Sequence, residues 1–318
     1  MLISDYVKIL AGIAPGYNHP AAIHPKNGKE REIMSITITI ANEKGGVGKT
    51  TTAVNLASGL ALRLEGETGP ASRVLLVDMD PQGHALLAIS FDKHKDVFPI
   101  SLPALLTETP PPSIQRMIQR SEHHANLFYV PSDRAAMIRA ARELPTLMAN
   151  ETRLQKALAQ VQKEFAYIVI DTPPNTGDLL INSLVAADLV VVPVETSYLG
   201  VSGLIELQRT IDQIKAHFKP SLKIFGYLPT LCDEQRGEAQ EILTELQQRY
   251  KSLMLPPIHK SSDLAYAHSA HMDVFTFKPP RTHSTEAIAS SSRATQEYAG
   301  LVEAILHDTR KAAVQGLK

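Results

Sequence analysis

The chain has a single cysteine, Cys232, in 318 residues. One thiol forms no internal disulfide, and a cysteine-held iron–sulfur cluster or cysteine-rich zinc site within one chain is excluded. A chain of this length buries a sizeable core without such staples. An excess of either charge is missing too. Lys+Arg 32 against Asp+Glu 33 leaves a formal net charge of -1, so there is no global electrostatic case for a polyanionic partner. No run approaches 18 apolar residues, which excludes a transmembrane helix. Met1 to Gly16 carries Asp5 and Lys8 within its apolar pattern and reads poorly as a signal peptide. No fixed-period repeat or low-complexity tract is present. With 44% apolar and 20% charged residues, the composition is that of a folded chain. The expected setting is a reducing cytosol.

At about 150 residues per domain the length alone predicts two domains. The punctuation of the chain predicts otherwise. His19-Pro20, His24-Pro25 and Asn27-Gly28 interrupt a polar stretch ending in Lys29-Glu30-Arg31-Glu32, which reads as a flexible leader over 1–33. A short helix over Ile3 to Ile13 fits there, whereas a helix-turn-helix does not. Met34 directly precedes the first strand pattern and is a candidate start. One domain, 34–318, is expected after it. Strands are predicted at Ile36–Ala41, Val74–Val77, Leu127–Val130, Tyr167–Ile170, Leu189–Val194 and Ile224–Leu228. Several are near-continuous Val/Ile/Leu, as in parallel strands covered on both faces. Helices are predicted between them at Thr50–Arg63, Arg134–Glu143, Glu151–Lys163, Gly177–Ala187, Gly203–Phe218, Arg236–Tyr250 and Thr285–Leu306. Pro110-Pro111-Pro112 reads as a surface loop. The alternation argues for an α/β fold with a doubly wound, mainly parallel sheet flanked by helices.

The sharpest signal is Asn42-Glu43-Lys44-Gly45-Gly46-Val47-Gly48-Lys49-Thr50-Thr51, set between a predicted strand and a predicted helix. That is the context of a phosphate-binding loop. Glycines let successive N–H groups turn toward phosphate oxygens, and the helix N-terminus adds its positive end. Lys49 would neutralise the β- and γ-phosphates, the Thr50 hydroxyl would ligate Mg²⁺, and Thr51 would reach the α-phosphate. Two apolar strands ending in carboxylates accompany the loop: Val74 to Asp78-Met79-Asp80-Pro81-Gln82-Gly83, and Tyr167 to Asp171-Thr172-Pro173-Pro174. The C-terminal ends of parallel strands are where such sheets bind ligands. An N-capping aspartate would explain one of the first pair and leave the other over.

The general loop pattern wants glycine six residues before Lys49, where this chain has Glu43, and a second lysine, Lys44, opens the loop. Lys44-Gly45-Gly46-Val47-Gly48-Lys49-Thr50-Thr51 resembles the deviant phosphate loop of the ParA/MinD ATPases, phosphate-loop (P-loop) NTPases. Asp80-Pro81-Gln82 and Pro173-Pro174 are closest to the ParA branch, and the likeness spans almost all of 34–306. The resemblance implies ATP and Mg²⁺ as cofactors, a dimer formed with ATP, and Lys44 reaching the partner subunit's nucleotide. It implies that Asp80 positions the attacking water, Asp78 supports it near Mg²⁺, and Asp171 holds Mg²⁺ through a water. His84 follows Gln82-Gly83 where relatives often carry asparagine. Val190 to Glu195 followed by Gly203-Leu204 resembles the segment after the second switch. Leu231 to Asp233 and Pro257 would flank adenine.

The first implied function is a positioning ATPase that coats DNA non-specifically and acts with a centromere-binding (ParB-like) or adaptor protein. It would be cytoplasmic, and nucleoid-associated when ATP-bound. The DNA candidates Arg209, Lys215, Lys219 and Lys223, set against Asp212, are explained equally well by an ordinary solvated helix face. A MinD-like membrane cycle is disfavoured, because the last stretch from Asp308 offers only Val314 and Leu317 as bulky apolar residues. No stable membrane anchor is expected. The third class is a metabolic enzyme on the same scaffold, such as an amide-forming ligase. A nitrogenase-type reductase is opposed by the single cysteine.

Overall fold

The Val/Ile/Leu runs pair side by side in the computed structural model, which describes residues 34–90, 101–197, 203–233, 235, 237–278 and 292–315. The expected leader, and residues 285–291 of the last predicted helix, lie outside these. Among the described residues, seven strands form one sheet in the order β3-β4-β2-β5-β1-β6-β7. They are β1 (Ile36–Ile40), β2 (Val74–Asp78), β3 (Gln119–Arg120), β4 (Leu127–Tyr129), β5 (Tyr167–Asp171), β6 (Leu189–Glu195) and β7 (Lys223–Thr230). Among the described residues only the β3–β4 pair is antiparallel. The helices are α1 (Lys49–Arg63), α2 (His84–Leu87), α3 (Leu102–Thr107), α4 (Arg134–Glu143), α5 (Arg153–Ala159), α6 (Asp178–Ala186), α7 (Leu204–His217), α8 (Gly237–Tyr250), α9 (Ser262–Ser269) and α10 (Arg293–Gln315).

Alternate strand residues face opposite layers. Ile38, Ile40, Leu76 and Val169 pack with Leu56 and Leu60 of α1 and Leu301, Val302 and Ile305 of α10. On the other face Leu75, Val77, Ile168 and Ile170 meet α3, α4 and α5, while Val190, Val192 and Val194 meet α6, α7 and α8. Both faces are covered, as an all-apolar parallel strand requires. Gly59 brings α1 and α10 together: a Cβ there would stand 2.6 Å from Val302 Cγ2 and 3.0 Å from the Phe275 ring.

Some expected elements differ. The helix expected over Glu151–Lys163 is a short 3-10 turn (Asn150–Thr152) followed by α5, which stops at Ala159. Val161 and Phe165, 0% and 2% exposed, pull the chain down into the core on its way to β5. The last helix runs past Leu306 to Gln315, and the Thr309 hydroxyl lies 2.7 Å from Tyr167 Oη on β5. The elements β3, α2, α3 and α9 were not expected; they are too short to show a period. Two carried start signals nonetheless: Pro103 lies in the first turn of α3, and Ser261 caps α9 by accepting from the Asp263 N–H at 3.2 Å. Pro110 and Pro111 are exposed in a loop, as expected.

Candidate active site

Strand β1 lies between β5 and β6, and α1 leaves its C-terminal end, so the loop 42–49 sits where chain connections run to opposite sides of the sheet. Open α/β sheets hold ligands in that crevice. Gly46 and Gly48 have φ of +76° and +81°, a conformation that favours glycine. Gly48 ends the loop as the N-cap of α1 with no side-chain capping bond, and α1 has no acidic residue in its first turn. The amides opening α1 therefore face the loop's hollow without a carboxylate competitor, a cradle that suits phosphate.

Three contacts clamp the loop to neighbouring strands. Buried Asn42 donates from Nδ2 to Pro193 O of β6 at 2.7 Å and accepts from the Lys44 N–H at 2.9 Å. Thr230, the last residue of β7, donates to Val47 O at 2.9 Å. The Lys44 ammonium is ion-paired with Glu195, the last residue of β6. Glu43, the second residue of the loop, accepts from Thr210 of α7 at 3.1 Å. Lys49 is 6% exposed, and its ammonium donates to Lys44 O at 2.7 Å. Burial lowers its pKa, while Asp171 and Asp80 act to raise it.

The two carboxylate-ending strands reach the same edge. Parallel pairing of β2 with β5 sets Asp78 directly beside Asp171, both fully buried. Burial raises both pKa values, Asp171 to about 7 and Asp78 well above the usual carboxylate range, and each is raised further by neighbouring aspartates. Their environments differ. Both Asp78 oxygens accept backbone N–H groups, from Asp80 at 3.0 Å and Ala85 at 2.9 Å, so Asp78 shapes the loop that carries Asp80. Asp171 accepts the Thr172 N–H through Oδ1 at 3.0 Å, whereas buried Oδ2 makes no hydrogen bond of ordinary geometry. The Thr50 hydroxyl favours the ionised form of Asp171. An orphaned carboxylate oxygen beside a hydroxyl is the hard-oxygen donor set that Mg²⁺ takes. Asp80 is half-buried and accepts the Gln82 N–H at 2.9 Å. His84 is exposed at the start of α2, its ring edge-on to His268 of α9.

The segments expected to flank a base are brought together. Cys232 N–H donates to Ile258 O at 3.2 Å and Lys260 N–H to Cys232 O at 3.0 Å, so 231–233 runs alongside 257–260, next to Thr230. Pro257 and Asp233 are half-buried there, and Leu231 is 39% exposed with φ +53°. Of the basic residues, Arg209, Lys215 and Lys223 are exposed on α7 and the start of β7, while Lys219 is ion-paired with Asp188 at 2.9 Å. The local positive surplus is one charge smaller than the sequence alone indicates. Among the described residues no helix is long and apolar enough to cross a membrane. The side chain of Val314, and Leu317 altogether, lie outside the described residues. The clamps at Thr230 and Glu195 were not expected: neither belongs to a phosphate-loop pattern, and only β-sheet register shows their proximity to it.

The family model for an AAA domain (AAA_31) matches residues 35–224. The chain belongs to the ParA/MinD ATPase family. Its relatives place it on the ParA branch. The chromosome partitioning protein ParA of Myxococcus xanthus is 38% identical over 216 residues, covering 67% of this chain and 71% of that protein. The sporulation initiation inhibitor protein Soj of Bacillus subtilis is 35% identical over 218 residues, 69% of this chain and 81% of that one. Among solved structures, cobyrinic acid a,c-diamide synthase from Mycobacterium smegmatis with a bound ATP analog and magnesium has a TM-score of 0.68 and 28% identity. The match covers 87% of this chain and 97% of that one. In this ParA-family chain the phosphate loop, both acidic strand ends and the whole DNA-candidate helix α7 fall within the matched family region.

Proposed function

We propose that this protein is a ParA-type positioning ATPase: ATP drives two subunits into a face-to-face dimer, the dimer binds DNA non-specifically, and hydrolysis resets it. The nucleotide is ATP and the metal Mg²⁺. The observation that carries the reading is the convergence at one sheet edge of a two-lysine phosphate loop with Asp78, Asp80 and Asp171. Residues 45–51 cradle the phosphates with backbone amides, the Thr51 hydroxyl adding a contact at the α-phosphate. Lys49 exchanges its bond to Lys44 O for phosphate oxygens. Lys44 serves the nucleotide of the other subunit. Thr50 and Asp171 hold Mg²⁺, which spreads the negative charge that develops on the phosphates. Asp80 orients the attacking water, and Asp78 supports it by fixing the backbone that presents it. Leu231 to Asp233 and Pro257 border the adenine. Positioning and charge neutralisation are what phosphoryl transfer needs.

The DNA contacts fall to Arg209, Lys215 and Lys223, with Lys219 contributing once freed from Asp188. A near-neutral chain binds DNA this way because dimerisation doubles a local basic strip. The hydrolysis trigger is a centromere-binding, ParB-like or adaptor protein, and the protein cycles between cytoplasm and nucleoid. The test is light scattering and DNA binding with ATP and Mg²⁺. Wild type dimerises and binds DNA with an affinity that falls steeply with salt through counterion release. Lys44→Ala keeps nucleotide but stays monomeric. DNA binding that ignores nucleotide or salt refutes the reading.

One finding favours a second reading, an ATP-dependent amide-forming ligase: the 28% identity to the diamide synthase of Mycobacterium smegmatis. ATP turnover stimulated by DNA argues for the first reading; turnover requiring a carboxylic acid and an amide donor argues for the second.

A further inference from the structure

The mechanism above sends Lys44 across to a partner subunit, yet here its ammonium is engaged within its own chain. Lys44 Nζ lies 2.5 Å from Glu195 Oε2, and both side chains are mostly buried, 27% and 33% exposed. Glu195 is rigidly placed. It ends β6, it is in register with Thr230 of β7, and its carbonyl accepts the Ser197 N–H at 2.8 Å. The backbone of Lys44 is held on the same strand through Asn42, which bridges the Lys44 N–H to Pro193 O. Main chain and side chain of Lys44 are thus both tied to β6. Phosphate binding within one subunit gives no reason for a carboxylate at this place, since it adds negative charge beside an anion site.

We infer that Glu195 is a positioning residue that holds Lys44 in cis and so sets how much nucleotide-driven association is needed before the lysine can serve the other subunit. This rests on the trans role of Lys44 proposed above. A subunit entering the dimer must break the pair and surrender Lys44 to the partner's nucleotide. A partly exposed ion pair with good geometry holds the closed form by roughly two- to fivefold. A dimer breaks two such pairs, so the factors multiply, and the association constant is reduced about four- to twenty-fivefold.

The test compares wild type, Glu195→Gln, Glu195→Asp and Lys44→Ala as full chains, with the analogue AMPPNP and Mg²⁺. Dimerisation is followed by light scattering, and nucleotide affinity is measured separately at protein concentrations where all are monomeric. Glu195→Gln is expected to raise the association constant about four- to twenty-fivefold at equal occupancy by the analogue, whatever the change in monomer affinity. Glu195→Asp, which keeps the charge, is expected to fall between it and wild type. A structural role alone would not improve association. Unchanged or weaker association in Glu195→Gln, with Lys44→Ala monomeric, overturns the cis latch and leaves the trans role of Lys44 standing. A Lys44→Ala protein that dimerises like wild type overturns the trans role, and the latch with it. Should Glu195→Gln fail to fold, Glu195→Asp decides: association equal to wild type or weaker overturns the proposal.

Discussion

Asp171 is built for a ligand at the cost of the empty fold, and replacing it by asparagine measures that cost. The carboxyl is fully buried, and its pKa rises from 3.8 to about 7 because burial disfavours the charge. In the unfolded chain the same group is ionised above about pH 4. Between about pH 4 and 7 the native state therefore holds a proton that the unfolded state has released, so nucleotide-free stability falls as pH rises through that window. Three pKa units at 1.36 kcal/mol each set an upper bound of about 4 kcal/mol at pH 8. Asparagine removes the charge and keeps the acceptor for the Thr172 N–H. Its amide nitrogen replaces an oxygen that has no hydrogen bond of ordinary geometry, and an unpaired buried donor costs about 1–3 kcal/mol. Asp78 gains as well, since a neighbouring negative charge disappears. Asp171→Asn is thus expected to stabilise the nucleotide-free protein by about 1–3 kcal/mol at pH 8 and, once the electrostatic gain has vanished, to destabilise it by about 1–3 kcal/mol near pH 4. The assay is urea denaturation in EDTA from pH 4.5 to 8, together with Mg²⁺-dependent nucleotide binding, which the variant is expected to lose. A variant less stable than wild type at pH 8, or a difference that ignores pH, refutes the electrostatic reasoning.

Two structural predictions concern the layer that carries α1. Gly59→Val forces a side chain into the 2.6 Å gap to Val302 and is expected to cost about 1–3 kcal/mol by urea denaturation, with α10 loosened in hydrogen exchange. Buried Asp273 accepts from Thr276 Oγ1 at 2.9 Å and from the Phe275 N–H at 2.9 Å, and pairs with His124 at 2.8 Å. These bonds keep its pKa below the usual value despite burial. Asp273→Ala strands the ring of His124 and is expected to cost about 3–5 kcal/mol near neutral pH. The depressed pKa means that the wild-type contribution is present above the unfolded value and is lost as pH falls through the folded one, so the difference between the two proteins narrows in acid, below about pH 4.

Short-range pattern and long-range contact divided the information unequally. Six of the seven strands and the frame of helices were legible because parallel strands buried on both faces are apolar throughout, and amphipathic helices repeat at their own period. The phosphate loop was legible for another reason: left-handed glycines, a lysine and two hydroxyls must lie close together in the chain to wrap one group of phosphates. Gly46 and Gly48 have the φ that motif demands. Two-residue β3 and four-residue α2 were not legible, since neither is long enough to display a period.

The sequence by itself determined the class of chemistry, because phosphate binding is written in contiguous residues. It also placed Asp78 and Asp171 at strand ends. Only the tertiary structure decided that the two stand in register on neighbouring strands, so that Asp171 raises the pKa of Asp78, and that Asp78 spends both oxygens on backbone amides while Asp171 keeps one open. Tertiary structure likewise paired Lys219 with Asp188 and Lys44 with Glu195, partners 31 and 151 residues apart. Sheet order and register set such contacts, and no local spacing in the chain encodes them.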